Sequence, residues 1–465
     1  MSRISFILLL LLAFSFAYCQ ISFKPYVAYP AGKYPQLCKV ADIDNDSLNE
    51  VVLLTDFYFD STTDYKIFLF KYIGGQMVRQ KMIDYPHLYP GAQSFDVKDL
   101  NGDLLPDIVL GAGDSIFIFI NNGGTDFELK QRYGSGISVN GIRIGDFNND
   151  KKNDIAVSHG NDSYIKVFEN RDSVFSPRSY PVVQSGYDQL KSGDINHDSL
   201  TDLVFLRGQG LGSSRIVFFL QNAGGNLVLD TSWQAPPSPF SNLVYGIAVG
   251  DLDQDGKNDM VATDYYNGRI VLWTQGESGL KYLGQCQTAS APEPVRIADF
   301  DLDGKNDIVA ANGGWNCISV FRQKSAGSFN SMVKFSIPFA SHYKPDGMDV
   351  GDVNGDGLPD IVLADYLHGL IVLYNNSITT AVKALPVSRE RSAIRYFNRM
   401  AYFYSSASGP ARVSVFDCNG RMAYKIPVTL VPGMNAVCVP ELSRGIYLAE
   451  VSSNGVSLRS KIVMK

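Results

Sequence analysis

Asp251-Leu-Asp-Gln-Asp-Gly-Lys-Asn-Asp259 is one of seven acidic loops of one design in this 465-residue chain. The other six occupy residues 42–50, 99–107, 146–154, 194–202, 299–307 and 352–360. A repeat of roughly 50 residues is the period of a propeller or a solenoid. Each loop carries an oxygen-bearing side chain at positions 1, 3, 5 and 9. The first four loops supply Asp42, Asp44, Asp46 and Glu50, then Asp99, Asn101, Asp103 and Asp107, then Asp146, Asn148, Asp150 and Asp154, then Asp194, Asn196, Asp198 and Asp202. The last three supply Asp251, Asp253, Asp255 and Asp259, then Asp299, Asp301, Asp303 and Asp307, then Asp352, Asn354, Asp356 and Asp360. Carboxylates at this density repel one another unless a hard cation neutralises them, and calcium accepts six to eight oxygens from a flexible loop. The plainer alternative is an Asp/Asn-rich hairpin turn that holds no metal.

Sequence on either side of the loops decides the fold class. Around the fifth loop the chain reads Tyr245-Gly-Ile-Ala-Val-Gly before it and Met260-Val-Ala-Thr after it, then Arg269-Ile-Val-Leu-Trp273 and Leu280-Lys-Tyr-Leu. These are four short β-rich runs separated by turn residues, with no 3.6-residue periodicity. The second repeat has the same order, with Ile108-Val-Leu, Ile116-Phe-Ile-Phe-Ile120 and Phe127-Glu-Leu-Lys after its loop. Four antiparallel strands per repeat, arranged radially, predict an all-β chain: a seven-bladed β-propeller followed by a small Ig-like β-sandwich. After the seventh loop only two further strands precede the linker. The run Phe23-Lys-Pro-Tyr-Val-Ala-Tyr29 is expected to supply the missing fourth strand of the last blade.

The loops resemble the calcium sites of the FG-GAP/VCBS repeat family, found in integrin α-chain propellers and many secreted bacterial proteins. They open like an EF-hand loop but close with an acid at position 9. Dockerin modules carry similar loops between helices, and no helical pattern lies between the loops here. The resemblance implies calcium as the cofactor, with the backbone carbonyl at position 7 (Lys257, Lys305, Leu358) as a further ligand. Glycine at position 6 permits a turn through positive φ, and Gly256, Gly304 and Gly357 supply it. Ser47, Leu104, Lys151 and Ser199 stand there in the first four loops, which predicts weaker binding or a different turn in those.

Residues 1–19 read as a secretory signal, with Arg3, the apolar run 4–16 and Ala17-Tyr-Cys19. Cleavage after Cys19 leaves Gln20 first; acylation of Cys19 is the rival, disfavoured by the bulky Tyr18 before it. The expected location is secreted or on the outer cell surface. No other stretch approaches the roughly 20 apolar residues of a membrane-spanning helix. The formal net charge of −6 misleads, because the loops hold 24 of the 47 acidic residues. No basic run of five or more occurs, so nucleic acid is not an expected partner. Five cysteines follow the leader, an odd number, and Cys418 with Cys438 is the most plausible pair.

The expected domains are the signal peptide 1–19, the propeller 20–377, a linker 378–387 and a β-sandwich 388–465. The last reads Arg412-Val-Ser-Val-Phe-Asp-Cys-Asn-Gly420 and Arg444-Gly-Ile-Tyr-Leu-Ala-Glu-Val451, ending Lys461-Ile-Val-Met-Lys465. This resembles the C-terminal sorting domain of type IX secretion substrates, although the Pro-Asn-Pro that commonly opens such domains is missing. The resemblance implies secretion machinery as a partner; an ordinary accessory Ig-like domain is the alternative.

Two functions remain open at this level. Turns on the face opposite the loops gather aromatics beside Asp, Asn and His, including Asp264-Tyr-Tyr-Asn267 and Asn312-Gly-Gly-Trp-Asn316. Such turns suit sugars, whose C–H faces stack on rings while hydroxyls take polar partners. Tyr265, Tyr266, Asn267 and Trp315 are the candidate contacts of a monomeric adhesion module that binds glycans or glycoproteins. The alternative is a polysaccharide-active enzyme, a lyase or hydrolase. Only five histidines are present (His87, His159, His197, His342, His368), no known catalytic motif occurs, and the expectation is that the chain is not an enzyme.

Overall fold

Strands flank every acidic loop, and the one that follows it is buried along its whole length in Glu50–Thr55, Asp107–Ala112, Asp154–His159, Asp259–Asp264, Asp307–Asn312 and Asp360–Asp365. An unbroken apolar run such as Val51-Val-Leu-Leu54 suits a strand covered on both faces. The computed structural model describes residues 21–56, 65–86, 88, 91–159, 164–182, 187–208, 215–230, 244–276, 279–313, 316–338 and 344–377 of the repeat region. Beyond it, residues 395–397, 400–405, 409–417, 421–430, 433–438, 445–453 and 456–464 are described. The leader and Cys418 lie outside these residues.

Within the repeats the first sheet runs Pro35–Ala41, Glu50–Thr55, Lys66–Ile73, Gln76–Asp84, each strand antiparallel to the last. Five further four-stranded antiparallel sheets follow in the same order, over 92–134, 139–181, 187–230, 244–287 and 292–336. The sixth also carries a small hairpin, Gln323–Ser325 with Ser328–Phe329. The last sheet takes Met348–Gly351, Asp360–Asp365 and Gly369–Leu373 from the end of the repeats and Val27–Tyr29 from their beginning. Val27 pairs with Val372 and Tyr29 with Leu370. The N-terminal run therefore joins the sheet in which the sequence lacks a strand. Among the described residues there is no helix, and the arrangement is all-β and propeller-like.

Each apolar core is shared by two neighbouring sheets. Leu37, Val52 and Leu69 of the first pack with Phe95, Ile108 and Leu110 of the second. Further cores repeat this between the later pairs, and another sets Val362, Leu370 and Val372 of the seventh sheet against Val51, Leu53 and Phe68 of the first. Fully burying each such side chain contributes about 1.5–3 kcal/mol.

The first strands of successive sheets also lie against one another, the seventh against the first. The residue three before each loop is Lys39, Asp96, Arg143, Lys191, Ala248, Arg296 or Asp349. Six of the seven are charged, and they are joined by Asp346. Its carboxylate accepts from Arg143 Nη2 at 2.8 Å, Lys191 Nζ at 2.9 Å and Ser94 Oγ at 3.1 Å, with Arg296 Nη2 at 3.7 Å. Arg296 Nε meets Asp349 at 3.1 Å and Lys39 meets Asp96 at 3.4 Å. Burial alone would raise the Asp346 pKa, but Arg143, Lys191, Lys39 and Arg296 hold it well below the usual carboxylate range. Burial and then Arg143 push the Lys191 ammonium well below its ordinary value. Four bases face three carboxylates here, with Asp346 shared among Arg143, Lys191 and Arg296.

A separate unit holds the residues from 379 onward. Its three-stranded sheet is Arg395–Phe397, Met400–Ser405 and Gly433–Cys438, and its four-stranded sheet runs Met422–Leu430, Gly409–Asp417, Gly445–Ser453, Val456–Met464. Val437 of the former joins Val413, Val415, Leu430, Tyr447, Ala449 and Val451 of the latter in one core.

The N-terminal run is anchored by Phe23, buried edge-on to Phe300 at 5.6 Å and Phe335 at 5.0 Å. Phe23→Ala is expected to cost about 3–5 kcal/mol in urea denaturation, and a midpoint equal to wild type would show that this run does not hold the seventh sheet. Asp346→Asn leaves buried cations uncompensated and is expected to cost about 3–5 kcal/mol by the same measurement; a neutral result would mean that water, not Asp346, balances those charges.

Candidate metal centres

Every loop folds alike, because its own carboxylates bind its backbone. The position-1 Asp accepts the N–H of position 6 in all seven loops, as at Asp42 from Ser47 (2.9 Å), Asp99 from Leu104 (2.9 Å) and Asp299 from Gly304 (2.8 Å). The position-5 Asp accepts the N–H of position 7 in all seven. Position 6 is therefore driven to positive φ whatever residue stands there: 72° at Ser47, 71° at Leu104, 68° at Lys151 and 69° at Ser199, beside 84° at Gly256 and Gly304 and 86° at Gly357. A different turn in the first four loops is thus corrected. They make the same turn, with a left-handed cost of about 1–2 kcal/mol per non-glycine residue. Position 4 is left-handed throughout as well, at Asn45, Gly102, Asn149, His197, Gln254, Leu302 and Gly355.

Position 9 has a distinct task. Asp107, Asp154, Asp202, Asp259, Asp307 and Asp360 are buried, one oxygen accepting the N–H of position 2 and the other an N–H at the end of the third strand. For Asp107 these donors are Leu100 at 2.8 Å and Asn121 at 2.9 Å. Position 2 is a buried apolar residue in every loop, from Ile43 to Val353. Burial lifts the position-9 carboxyls, against the pull of the two N–H groups, to about 6 at Asp107 and Asp259, about 7 at Asp154, Asp202 and Asp360, and about 8 at Asp307.

Acidic side chains face one another in three of the loops. Carboxylate oxygens lie within 4.8 Å of each other in Asp251, Asp253 and Asp255, in Asp299, Asp301 and Asp303, and in Asp42, Asp44 and Glu50. These groups could hold a metal ion. In the second, third and fourth loops an asparagine at position 3 donates instead to the position-5 carboxylate, Asn101 to Asp103 at 2.9 Å, Asn148 to Asp150 at 3.2 Å and Asn196 to Asp198 at 3.0 Å. In the seventh loop the Asn354 oxygen accepts the Asp356 N–H at 2.9 Å, as the asparagine oxygens of the second, third and fourth loops accept the N–H of position 5. Burial, and then Asp255, raise the Asp253 pKa.

Two bases missed by the sequence reading enter these loops. Lys71 reaches Asp44, Asp46 and Glu50, and Arg322 reaches Asp301 and Asp303. Both follow the third-strand residue paired with the start of the second strand, a signal that requires the register to be known.

Away from the loops, Tyr265 lies with its ring 4.8 Å from Tyr245 and 5.2 Å from Tyr266, and Tyr266 is 56% exposed. The Asn267 amide donates to Asp264 at 2.8 Å, and Arg269 pairs with the same carboxylate at 2.9 Å, so Asn267 shapes the turn itself. Trp315, His87 and His342 lie outside the described residues. His159 is buried against Ser135 Oγ and the Tyr164 ring; His197 sits at position 4 of the fourth loop; His368 Nδ1 meets the buried Asp365 at 2.7 Å.

Comparison with solved structures returns distant likenesses. BBS1N, in complex with ARL6DN, is 11% identical at a TM-score of 0.49, over 78% of this chain and 98% of that one. An Agrocybe aegerita lectin that recognises non-reducing terminal N-acetylglucosamine is 14% identical at 0.47, over 67% and 82%. A protein of Desulfotomaculum acetoxidans is 11% identical at 0.43, over 87% and 100%. No curated protein matches the sequence. The family model of the FG-GAP-like repeat matches residues 99–157, 194–262 and 299–363, so the acidic-loop repeats of this chain are supported as FG-GAP-like in three copies.

Proposed function

We propose that residues 20–377 form a closed seven-bladed β-propeller, stiffened by calcium in its acidic loops and working as a secreted or cell-surface adhesion module for glycans or glycoproteins. The observation that carries the calcium reading is that all seven loops hold one backbone turn, and that carboxylates converge at Asp251, Asp253 and Asp255, at Asp299, Asp301 and Asp303, and at Asp42, Asp44 and Glu50. Calcium, when bound, would neutralise these carboxylates and tie the loop to a single point. The glycan reading rests on the Tyr245–Tyr265–Tyr266 cluster, which offers an exposed ring beside the polar Asp264–Asn267–Arg269 turn. A flat apolar ring edged by fixed hydrogen-bonding groups is the surface a pyranose face requires. The unit beyond residue 379 is read as an Ig-like sandwich that directs export by a type IX route. The reading is of a monomeric binding module, without catalysis.

Linkage gives the calcium reading a pH signature. The position-9 carboxyls have folded-state pKa values above the unfolded aspartate value, so the folded chain holds protons that the unfolded chain releases. Their contribution to stability is greatest below about pH 4 and is lost as pH rises toward 8. In EDTA the melting temperature is therefore expected to fall between pH 5 and pH 8. Calcium at a hundredfold excess over its dissociation constant adds about 2.7 kcal/mol per site, and more of that gain is expected at pH 8. A melting temperature at pH 8 that calcium leaves unmoved rejects the calcium reading. For the ligand, a glycan array probed with the calcium-loaded protein is expected to give binding that Tyr266→Ala weakens at least tenfold. An empty array, or cleavage of a bound polysaccharide, overturns the binding-module reading.

A further inference from the structure

Lys71 and Arg322 occupy the same place in two different repeats. In each sheet the first core residue of the second strand pairs with a large apolar residue of the third: Val51 with Phe70, Ile108 with Phe119, Ile155 with Phe168, Leu203 with Phe219, Met260 with Trp273, Ile308 with Phe321 and Ile361 with Leu373. The next residue along is Lys71, Ile120, Glu169, Leu220, Thr274, Arg322 or Tyr374. Only the first and sixth repeats place a base there, and in both it turns into the acidic loop.

The contacts are those a cation site would make. Lys71 Nζ lies 2.5 Å from Asp44 Oδ2, 2.9 Å from Asp46 Oδ2 and 2.9 Å from Glu50 Oε1, touching positions 3, 5 and 9 at once. Arg322 Nη2 lies 2.6 Å from Asp303 Oδ2 while its Nε hydrogen-bonds Asp301, and Lys305 also pairs with Asp303.

Position 3 shows why a base is needed in these two loops. It is Asn in the second, third, fourth and seventh loops and Asp in the first, fifth and sixth. An asparagine offers an N–H to the position-5 carboxylate, and three of the four do so. An aspartate offers none, and four carboxylates then crowd one loop. In the first and sixth loops the third-strand base supplies the missing donors. In the fifth the equivalent residue is Thr274, with no charge to give.

We propose that Lys71 and Arg322 are resident cations that take the place of calcium in the first and sixth loops, leaving at most five loops to bind the ion and the fifth to bind it most tightly. Calcium bonds oxygen at 2.3–2.6 Å, on the oxygens Lys71 already meets at 2.5–2.9 Å. Two cations sharing that set would stand a few ångströms apart with little water between them, and their repulsion excludes joint occupancy. The carboxylates of these two loops would then be neutralised at every calcium concentration, while those of the others are neutralised only when calcium is present.

This inference rests on the calcium reading above, and the test separates the two. Calcium stoichiometry is measured on the purified protein by equilibrium dialysis with radioactive calcium. The expected result is no more than five ions per chain, with Lys71→Gln and Arg322→Gln each adding one ion and the double variant adding two. Seven ions on the wild type, or variants that bind calcium but gain no ion, overturn the inference while leaving the calcium reading intact. No ion on any protein overturns both. A second measurement needs no variant: acylation of Lys71 by an amine-reactive reagent, followed by mass spectrometry, is expected to be slow and unchanged by calcium. Acylation of Lys71 that rises at least threefold on adding calcium would show the ion displacing the lysine, and would overturn the inference.

Discussion

The carboxylate at position 9 is the constraint on which the repeat depends. It is wholly buried, and its two oxygens accept an N–H from position 2 of its own loop and an N–H from the end of the third strand. An unpaired buried carboxylate would cost several kcal/mol, and these two donors are what make its burial tolerable. In exchange the loop, the second strand and the third strand are held at one point. Asparagine could not replace it, because one side of its amide would present a donor to a donor. Glu50 is the informative exception. Its Oε2 takes the Ile43 N–H at 2.8 Å, but Oε1 turns to Lys71, so the extra methylene coincides with a change of partner from backbone to base.

How much of this was legible follows from which interactions are local in sequence. The seven loops, the strands beside them and the strand at Val27–Tyr29 are all written in runs of under ten residues, and each can be read without knowing any contact. Position 6 was misread because glycine preference is a cost, not a prohibition. Two hydrogen bonds inside the loop override it at Leu104 and Lys151. The charged residues three before each loop could have been found by aligning the repeats on their first Asp, since Lys39, Asp96, Arg143, Lys191, Arg296 and Asp349 then fall in one column. That they converge on Asp346, which belongs to no column, needs the fold. Lys71 and Arg322 were illegible for a related reason: loops between the second and third strands differ in length, so only the register brings the two bases to one site.

Asn267 shows a turn residue with a local partner. A polar residue in an aromatic turn reads as a ligand contact, yet its amide is bonded to Asp264, three residues back. Asp and Asn in turns often serve the backbone before they serve anything else. Tyr266 differs, its exposed ring lying edge-on to that of Tyr265. The same distinction divides the loops. The position-9 aspartates serve the fold, whereas Asp251, Asp253 and Asp255, and Asp299, Asp301 and Asp303, hold the loop backbone and also bring carboxylate oxygens together.

Ties between neighbouring sheets recur in most of the repeats. Asn121 donates to the carbonyl of Ile43 at 2.9 Å, Asn170 to Leu100 at 2.7 Å, Gln221 to Asp146 at 2.8 Å and Asn375 to Phe300 at 2.8 Å, each reaching back to the preceding loop. A second set runs from position 8, with Asn153 bonded to Asp99, Asn258 to Asp194 and Asn306 to Asp251. The seam between the seventh sheet and the first belongs to the same system: Asn49 donates to the Asp352 carbonyl at 2.9 Å, and the Val40 N–H reaches Asp349 at 3.0 Å. A repeat array whose ends merely stop would show capping residues with polar outer faces there. Here the two terminal sheets bury apolar residues against each other and use the same amide tie as the interior pairs. Among the described residues the first and seventh sheets therefore meet as interior neighbours do, with the outer strand of the seventh supplied by Val27–Tyr29.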